Sequence, residues 1–447
     1  MRHKLLQSAA VALTAALALA GCSAGSSTSS DSADSSADTT VTFRLWDETA
    51  AASYEKSFVE FEKQNPGIEV DVEVVPWADY WTELRADVAE GNAADVFWMN
   101  NSYFGNYADS GNLIDVDTAL GENAKKDWTP SVVKQFTRDK TLWGVPQTYD
   151  AGIAVYYNKK LLDEAGIDPS TLKDLEWNPD EAKDTFLPVA QKLTKDTSGR
   201  DRLNGEFDAN AIASFGTNLG YDLQAILLPY IGSNGGQFQD GDNFDFADAK
   251  TTEAVEYVVK AVNDKKVAPP ASDTNDNSDF SRDAFLEGKI ALFQSGLYNL
   301  KSIDEGADFE WGVAPAPAGP AGNVTVTNGI VAAGNAQSEH LDATKKVLTW
   351  LGSTEGDTYL ATDGAALPAV DSAQKVFLDY WKKQDVDVTP FLDAVKAAKP
   401  IESPSGVNYA AGFDAYDPIF KQIFAGQTPV SDGLKKAQDA ANVAINK

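Results

Sequence analysis

The chemistry of this 447-residue chain concentrates where an apolar run gives way to rings and amides. The stretch Ala94-Asp95-Val96-Phe97-Trp98-Met99-Asn100-Asn101-Ser102-Tyr103-Phe104 begins as a strand and ends in two amides, a hydroxyl and aromatic rings, with Gly105 just beyond. In an open α/β sheet, ligands sit at the carboxyl ends of the strands. A Trp98 ring followed within three residues by Asn100 and Asn101 suits a ligand with both an apolar face and many hydroxyls, such as a pyranose. The ring covers the C–H face while the amides donate and accept at its edge. The residues alone leave a second reading open, in which Trp98 is a core ring and the asparagines shape a turn.

Other chemistries find less support. His340 is the only histidine beyond the amino-terminal leader, which nearly removes Ser–His and His–metal sites. No Gly-x-x-x-x-Gly-Lys-Ser/Thr loop is present to cradle phosphates. Asp273, Asn275 and Asn277 imitate the start of a calcium loop, but Ser278 stands where the turn glycine belongs and Ala284 where the closing Glu belongs. No metal and no cofactor are expected. With 67 acids, a carboxylate pair at the roughly 5–9 Å spacing of a glycoside hydrolase stays open, although no carboxylate sits in a recognisable acid/base motif.

The elements that must position these residues follow from periodicity. Val41 to Trp46 alternates as a first strand and stops at Asp47-Glu48. Tyr54, Phe58 and Phe61 form the stripe of a helix closed by Asn65-Pro66-Gly67. Ile68, Val70, Val72 and Val74 alternate with acids in a second strand with one wet face. Trp77 then opens a helix with Asp79 as its expected N-cap and Tyr80, Leu84 and Val88 as its stripe. Strand–helix–strand–helix–strand with short connections implies right-handed crossovers and a parallel sheet. The ends of the first and third strands then share a rim, which gathers Trp46, Asp47, Trp98 and the asparagines. Residues 170–310 read as mostly helical, including Glu181 to Leu193, and Pro/Gly-rich segments at 144–152, 312–322 and 364–368 read as crossings between two lobes.

The chain has a formal net charge of −30, and its first 21 residues hold Arg2 and Lys4 but no acid, so their removal makes it more negative still. Such acidity makes nucleic acid and anionic headgroups poor partners. Met1-Arg2-His3-Lys4 and the apolar run Leu5 to Ala20 read as a signal peptide over 1–21, too short to span a membrane. Leu19-Ala20-Gly21-Cys22 resembles the bacterial lipobox, which implies lipid on Cys22, the only cysteine of the chain, and anchoring at the outer face of the cell membrane. Residues 22–40 are rich in Ser, Ala, Asp and Thr and read as a solvated tether.

Several segments together carry a family resemblance. They are Asn65-Pro66-Gly67-Ile68, Ala94 to Trp98, Tyr107-Ala108-Asp109-Ser110-Gly111-Asn112-Leu113, Val155-Tyr156-Tyr157-Asn158-Lys159, Phe285 to Leu292 and Gly364-Ala365-Ala366-Leu367-Pro368. In this order and spacing the chain resembles the extracellular solute-binding proteins of ATP-driven sugar importers, the group that includes maltose-binding protein. The resemblance implies a two-lobe periplasmic-binding-protein-like α/β fold of class II, each lobe a mainly parallel sheet flanked by helices. One lobe would comprise 41–150 plus 320–367, the other 151–319 plus 368–447. It implies a non-catalytic monomer that clasps a carbohydrate between the lobes and delivers it to transmembrane permease subunits.

Matched residue by residue, Trp98 and Asn101 fall where the family places a ring and a polar sugar contact, although Asn101 stands where the maltose binder has a carboxylate. Asp150 matches a carboxylate that binds hydroxyls, Tyr298 a place often held by Trp, and Phe413 lies near another stacking ring. Asp47 and Asp222 are further acceptors for hydroxyls, and Trp46 and Trp77 further rings. Trp98→Ala is expected to abolish binding with little loss of stability. The same fold with a polyamine or peptide as solute is the main alternative.

Overall fold

The computed structural model describes residues 39–397, 400–406 and 408–447. The signal peptide, Cys22 and nearly all of the tether lie outside the described residues. Residues 39 and 40, read from sequence as the end of the tether, belong instead to the first strand, where Thr39 and Thr40 pair with Ile68 and Glu69.

The opening follows the sequence pattern closely. Strand β1 (Thr39–Leu45) leads into helix α1 (Glu48–Gln64), whose Tyr54, Phe58 and Phe61 are buried. Each such aromatic contributes roughly 1.5–3 kcal/mol through burial. Strand β2 (Ile68–Val74) keeps its acids outward, and helix α2 (Trp77–Glu90) buries Tyr80, Trp81 and Leu84. Pro76, not Asp79, holds the N-cap position of α2, because the fixed φ of proline suits the entry to a helix; Asp79 lies in the first turn. Strand β3 (Val96–Asn100) and the short helix α3 (Phe104–Asp109) complete this part.

Strand β4 (Val145–Asp150) belongs to the first sheet, whereas β5 (Ile153–Asn158), β6 (Ile212–Thr217), β7 (Ile290–Gly296) and β8 (Trp311–Pro315) build a second. The turn between β4 and β5 needs Gly152, which has φ +113° and packs against Thr325 and Phe391. Between β6 and β7 run a π-helical turn over Leu223–Leu227, helix α4 (Leu228–Ser233) and helix α5 (Ala249–Asn263). The expected helix from Glu181 begins only at Phe186: ahead of it Asp180 accepts from Ala182 N and Asp184 from Asn178 N, which hold this stretch in turns, while Asp184 also accepts from Leu187 N in the helix's first turn.

Strand β9 (Val326–Gly334) returns to the first sheet and pairs antiparallel with both β3 and β4. Helices α6 (Thr354–Thr362) and α7 (Asp371–Lys383) follow, then β10 (Ile401–Glu402), which pairs parallel with the start of β9. Helices α8 (Tyr409–Phe424) and α9 (Val430–Ile445) pack together on the second sheet's side.

Two sheets with flanking helices result. In the first, β1 lies parallel to β2 and β3; in the second, β6–β7 is parallel while β5 runs antiparallel to both β7 and β8. The mixture has a direct cause. Strands β5 and β9 enter from the other sheet and not through a helical crossover on their own, so the rule that makes βαβ strands parallel does not apply to them; β8, reached from β7 through a helix over Leu300–Gly306, does run in the same direction as β7. The second sheet is covered on both faces, with Ile153 and Val155 in one core and Ala154 and Tyr156 in another that includes Phe377 and Trp381. Among the described residues, no helix is long and apolar enough to cross a membrane.

Candidate ligand-binding cleft

A cleft of about 1050 Å³ runs between elements of the two sheets. Nine of the ten sequence-predicted contacts line it: Trp46, Asp47, Trp77, Trp98, Asn100, Asp150, Asp222, Tyr298 and Phe413.

The first wall is aromatic. Trp46, just past the end of β1, is its hub, with ring centroids 5.2 Å from Trp77, 4.9 Å from Tyr80 and 5.0 Å from Trp98, all near edge-to-face. These contacts fix the Trp46 ring. Trp77 opens α2 and is 41 % exposed, so its face is available to a ligand. Trp98 is only 3 % exposed. Its indole N–H donates to Tyr54 Oη at 3.2 Å, and Tyr54 in turn donates to Gln147 Oε1 at 2.8 Å. Trp98 thus lines the cleft, as expected, with its indole N–H tied into the core of the first sheet.

Asn100 accepts from Tyr103 N at 3.2 Å, which shapes the turn after β3. Asn101 does not reach the cleft. It is 4 % exposed and its Nδ2 donates to the Ser403 carbonyl at 3.2 Å, so the amide expected to contact a ligand instead ties this turn to the segment after β10.

The carboxylates are positioned by backbone N–H groups and by strand register. Asp47 caps α1, its Oδ1 accepting from Ala50 N at 2.7 Å, and Asp222 caps the turn at 223–227, accepting from Gln224 N at 3.0 Å and Ala225 N at 2.8 Å. At Asp222 both bonds fall on Oδ1, and at Asp47 the backbone of Thr49 joins Ala50 in holding the carboxylate. Burial raises the Asp47 pKa, opposed by the capping N–H of Ala50 and by the Arg282 charge. Asp150 ends β4 opposite Asn328 of β9. Burial, and then the charge of Asp47, push its pKa up to about 7.

The second wall holds Tyr298, Phe413 and Tyr221. Gly296 makes room for Tyr298: a Cβ there would lie 2.1 Å from the ring. Phe413 sits 5.3 Å from Tyr416. Tyr221 stacks on Phe420 at 5.5 Å and donates to Asp417 Oδ1 at 2.9 Å.

Sequence reasoning missed Tyr221, Asn328 and Arg282, which also line the cleft. A signal existed for Tyr221, because Tyr221-Asp222 repeats the aromatic–Asp–helix junction of Trp46-Asp47. None existed for Asn328, whose place beside Asp150 comes only from register. Among the described residues the lining includes nine carboxylates and three cations, and each cation already has an acidic partner: Arg85 with Asp414, Arg282 with Asp279 and Asp283, Lys421 with Asp276 and Asp417.

Two sheet-based lobes with a ring- and carboxylate-lined gap between them define a solute-binding protein, since ligand sites favour interfaces between such units. The chain belongs to the bacterial extracellular solute-binding protein family, whose model matches residues 46–358. It is similar to UspC of M. tuberculosis, at 50% identity and a TM-score of 0.71, over 91% of this chain and 100% of that one. It shares its fold with Lmo0181 of Listeria monocytogenes, solved in complex with cycloalternan, at 20% identity and a TM-score of 0.78 over 92% and 99% of the two chains. The maltose/maltodextrin-binding domain MalE of Bdellovibrio bacteriovorus, solved with maltotriose, matches at 17% identity and a TM-score of 0.74 over 91% and 100%. The family and the Listeria and Bdellovibrio proteins are solute- or sugar-binding proteins.

Proposed function

We propose that the protein captures a sugar or oligosaccharide in the cleft, closes on it without altering it, and delivers it to the transmembrane permease subunits of an ATP-driven importer. One observation carries the reading: the exposed Trp77 indole and the rings of the opposite wall share a cavity with the acceptors Asp47, Asp150 and Asp222. Rings cover C–H faces and carboxylates accept hydroxyl protons, which together match a saccharide. The cycloalternan and maltotriose of two relatives lend support to that solute class.

In this reading one lobe comprises 41–150 and 320–367 and the other 151–319 and 368–447, with β10 reaching back to the first sheet. Residues 1–21 direct export. Lipid on Cys22 holds a monomer at the outer face of the cell membrane through the tether.

Calorimetry of the full-length protein against a panel of saccharides, polyamines and peptides tests this. At least one saccharide is expected to bind with a Kd of about 10 µM or tighter, near −7 kcal/mol. Heat with amines alone would overturn it, and the excess of carboxylates in the cleft makes a polyamine the second reading to test. Intact oligosaccharides after long incubation with the protein are expected; released product would instead reveal a hydrolase.

A further inference from the structure

Beside the main cleft lies a second cavity of about 400 Å³, within the roughly 300–1,000 Å³ range of small-molecule sites. Arg85, Ser102 and Tyr103 line both cavities, so they form the partition between them. Two of the three are fixed. Tyr103 stacks on Trp81 at 4.1 Å with an interplanar angle of 14°, and Ser102 is 9 % exposed. Arg85 is different: it reaches from α2 to Asp414 of α8 at 3.4 Å, with 43 % and 60 % of the two side chains exposed. An ion pair so open to water holds weakly.

The side cavity also differs from the cleft in charge. Among the described residues, Arg85 is the only charged one that lines it, where the cleft has nine carboxylates. Its walls combine short polar groups, including Ser110 and Asn112, with the apolar Val88 and Ala89. Tyr107 also contributes; it is 7 % exposed, and its hydroxyl oxygen has no hydrogen-bond partner among the described residues. An unpaired buried hydroxyl is costly unless something supplies a partner.

We propose that this side cavity is an additional subsite that takes a neutral sugar unit of a saccharide whose main part lies in the cleft. The inference rests on the saccharide reading of the cleft. Arg85 is the gate: turning away from Asp414 opens the partition, and its planar fork of N–H donors then faces the hydroxyls of the entering unit. Selection by chain length or branching follows, because only a ligand that extends past Tyr103 gains these contacts.

The test uses full-length protein on an array of malto-, isomalto-, chito- and manno-oligosaccharides from monomer to hexamer. Ala89 and Ser110 are exposed, face the side cavity and do not line the cleft, so Ala89→Trp and Ser110→Trp fill it without touching the main site. Each is expected to weaken the longest ligand that binds by about tenfold or more while leaving the shortest within about twofold. Wild-type affinity at every length, with melting curves unchanged, would overturn the subsite and leave the cleft reading intact. Equal loss at every length would also overturn it. A wild-type protein that bound no saccharide at all would sink the cleft reading itself.

Discussion

Trp77→Ala removes a ring that both meets the cleft and packs on its neighbours. The ring is 41 % exposed, and a Trp side chain covers about 150–250 Å² when fully buried, so about 60–100 Å² remains for a ligand to cover. At about 25 cal/mol per Å² this amounts to about 1.5–2.5 kcal/mol, a weakening of the dissociation constant by about 10- to 70-fold. The covered part of the ring, about 90–150 Å² by the same measure and set against Trp46 at 5.2 Å and Trp81 at 5.6 Å, sets a stability cost of about 2–4 kcal/mol. Trp98→Ala is the contrasting case: it empties a site 3 % exposed and breaks the hydrogen bond to Tyr54, which should cost about 3–5 kcal/mol of folding stability. Calorimetric titration with a bound saccharide, paired with thermal denaturation of each variant, reads both quantities. An unchanged dissociation constant in Trp77→Ala, or an unchanged melting temperature in Trp98→Ala, would refute the division of roles between these two rings.

Asp150, with its pKa pushed up to about 7, should make binding depend on pH. A sugar hydroxyl donating to it favours the ionised form, so affinity is expected to rise about fivefold as pH climbs from 6 to 8, and Asp150→Asn should flatten that rise. Stability without ligand runs the other way. The unfolded carboxyl ionises near pH 4 and the folded one near 7, so the folded state binds the extra proton between those values and stability falls across that window. The fall is at most about 4 kcal/mol, lessened by water in the cleft, and thermal melts of wild type and Asp150→Asn at several pH values check it. Cys22→Ala should release the protein from membranes into the medium with its ligand affinity unchanged; fractionation that still finds it membrane-bound would contradict the lipid anchor.

How far the sequence could be read depended on whether a signal was local. The run from β1 to β3 was legible because its periods of two and of about 3.6 lie within single elements, and the rim residues Trp46, Asp47 and Trp77 came with it. The anchoring of Trp98 resisted for the opposite reason. All five residues of β3 are buried, so alternation gives no face, and the partners that lock the indole lie far away in sequence, Tyr54 being 44 residues off and Gln147 another 93 from Tyr54. The fate of Asn101 was further still from view, decided by a carbonyl 302 residues on.

Asp47 and Asp222 join the two kinds of information. Each follows an aromatic residue and begins a helical segment, and a residue at the junction between strand and helix stands at the sheet's carboxyl rim by construction. The cap hydrogen bond therefore does more than start a helix. It holds the carboxylate on the backbone, and so fixes where that group can meet a ligand, which makes the local signal for a helix start also the signal for an acceptor in the cleft. Asp150 lacks such a cap. It is held by β-ladder register beside Asn328, and desolvation raises its pKa to about 7. Of the three carboxylates it is thus the one whose charge is most open to change by pH, while Asp47 and Asp222 are held in place by the N–H groups they cap.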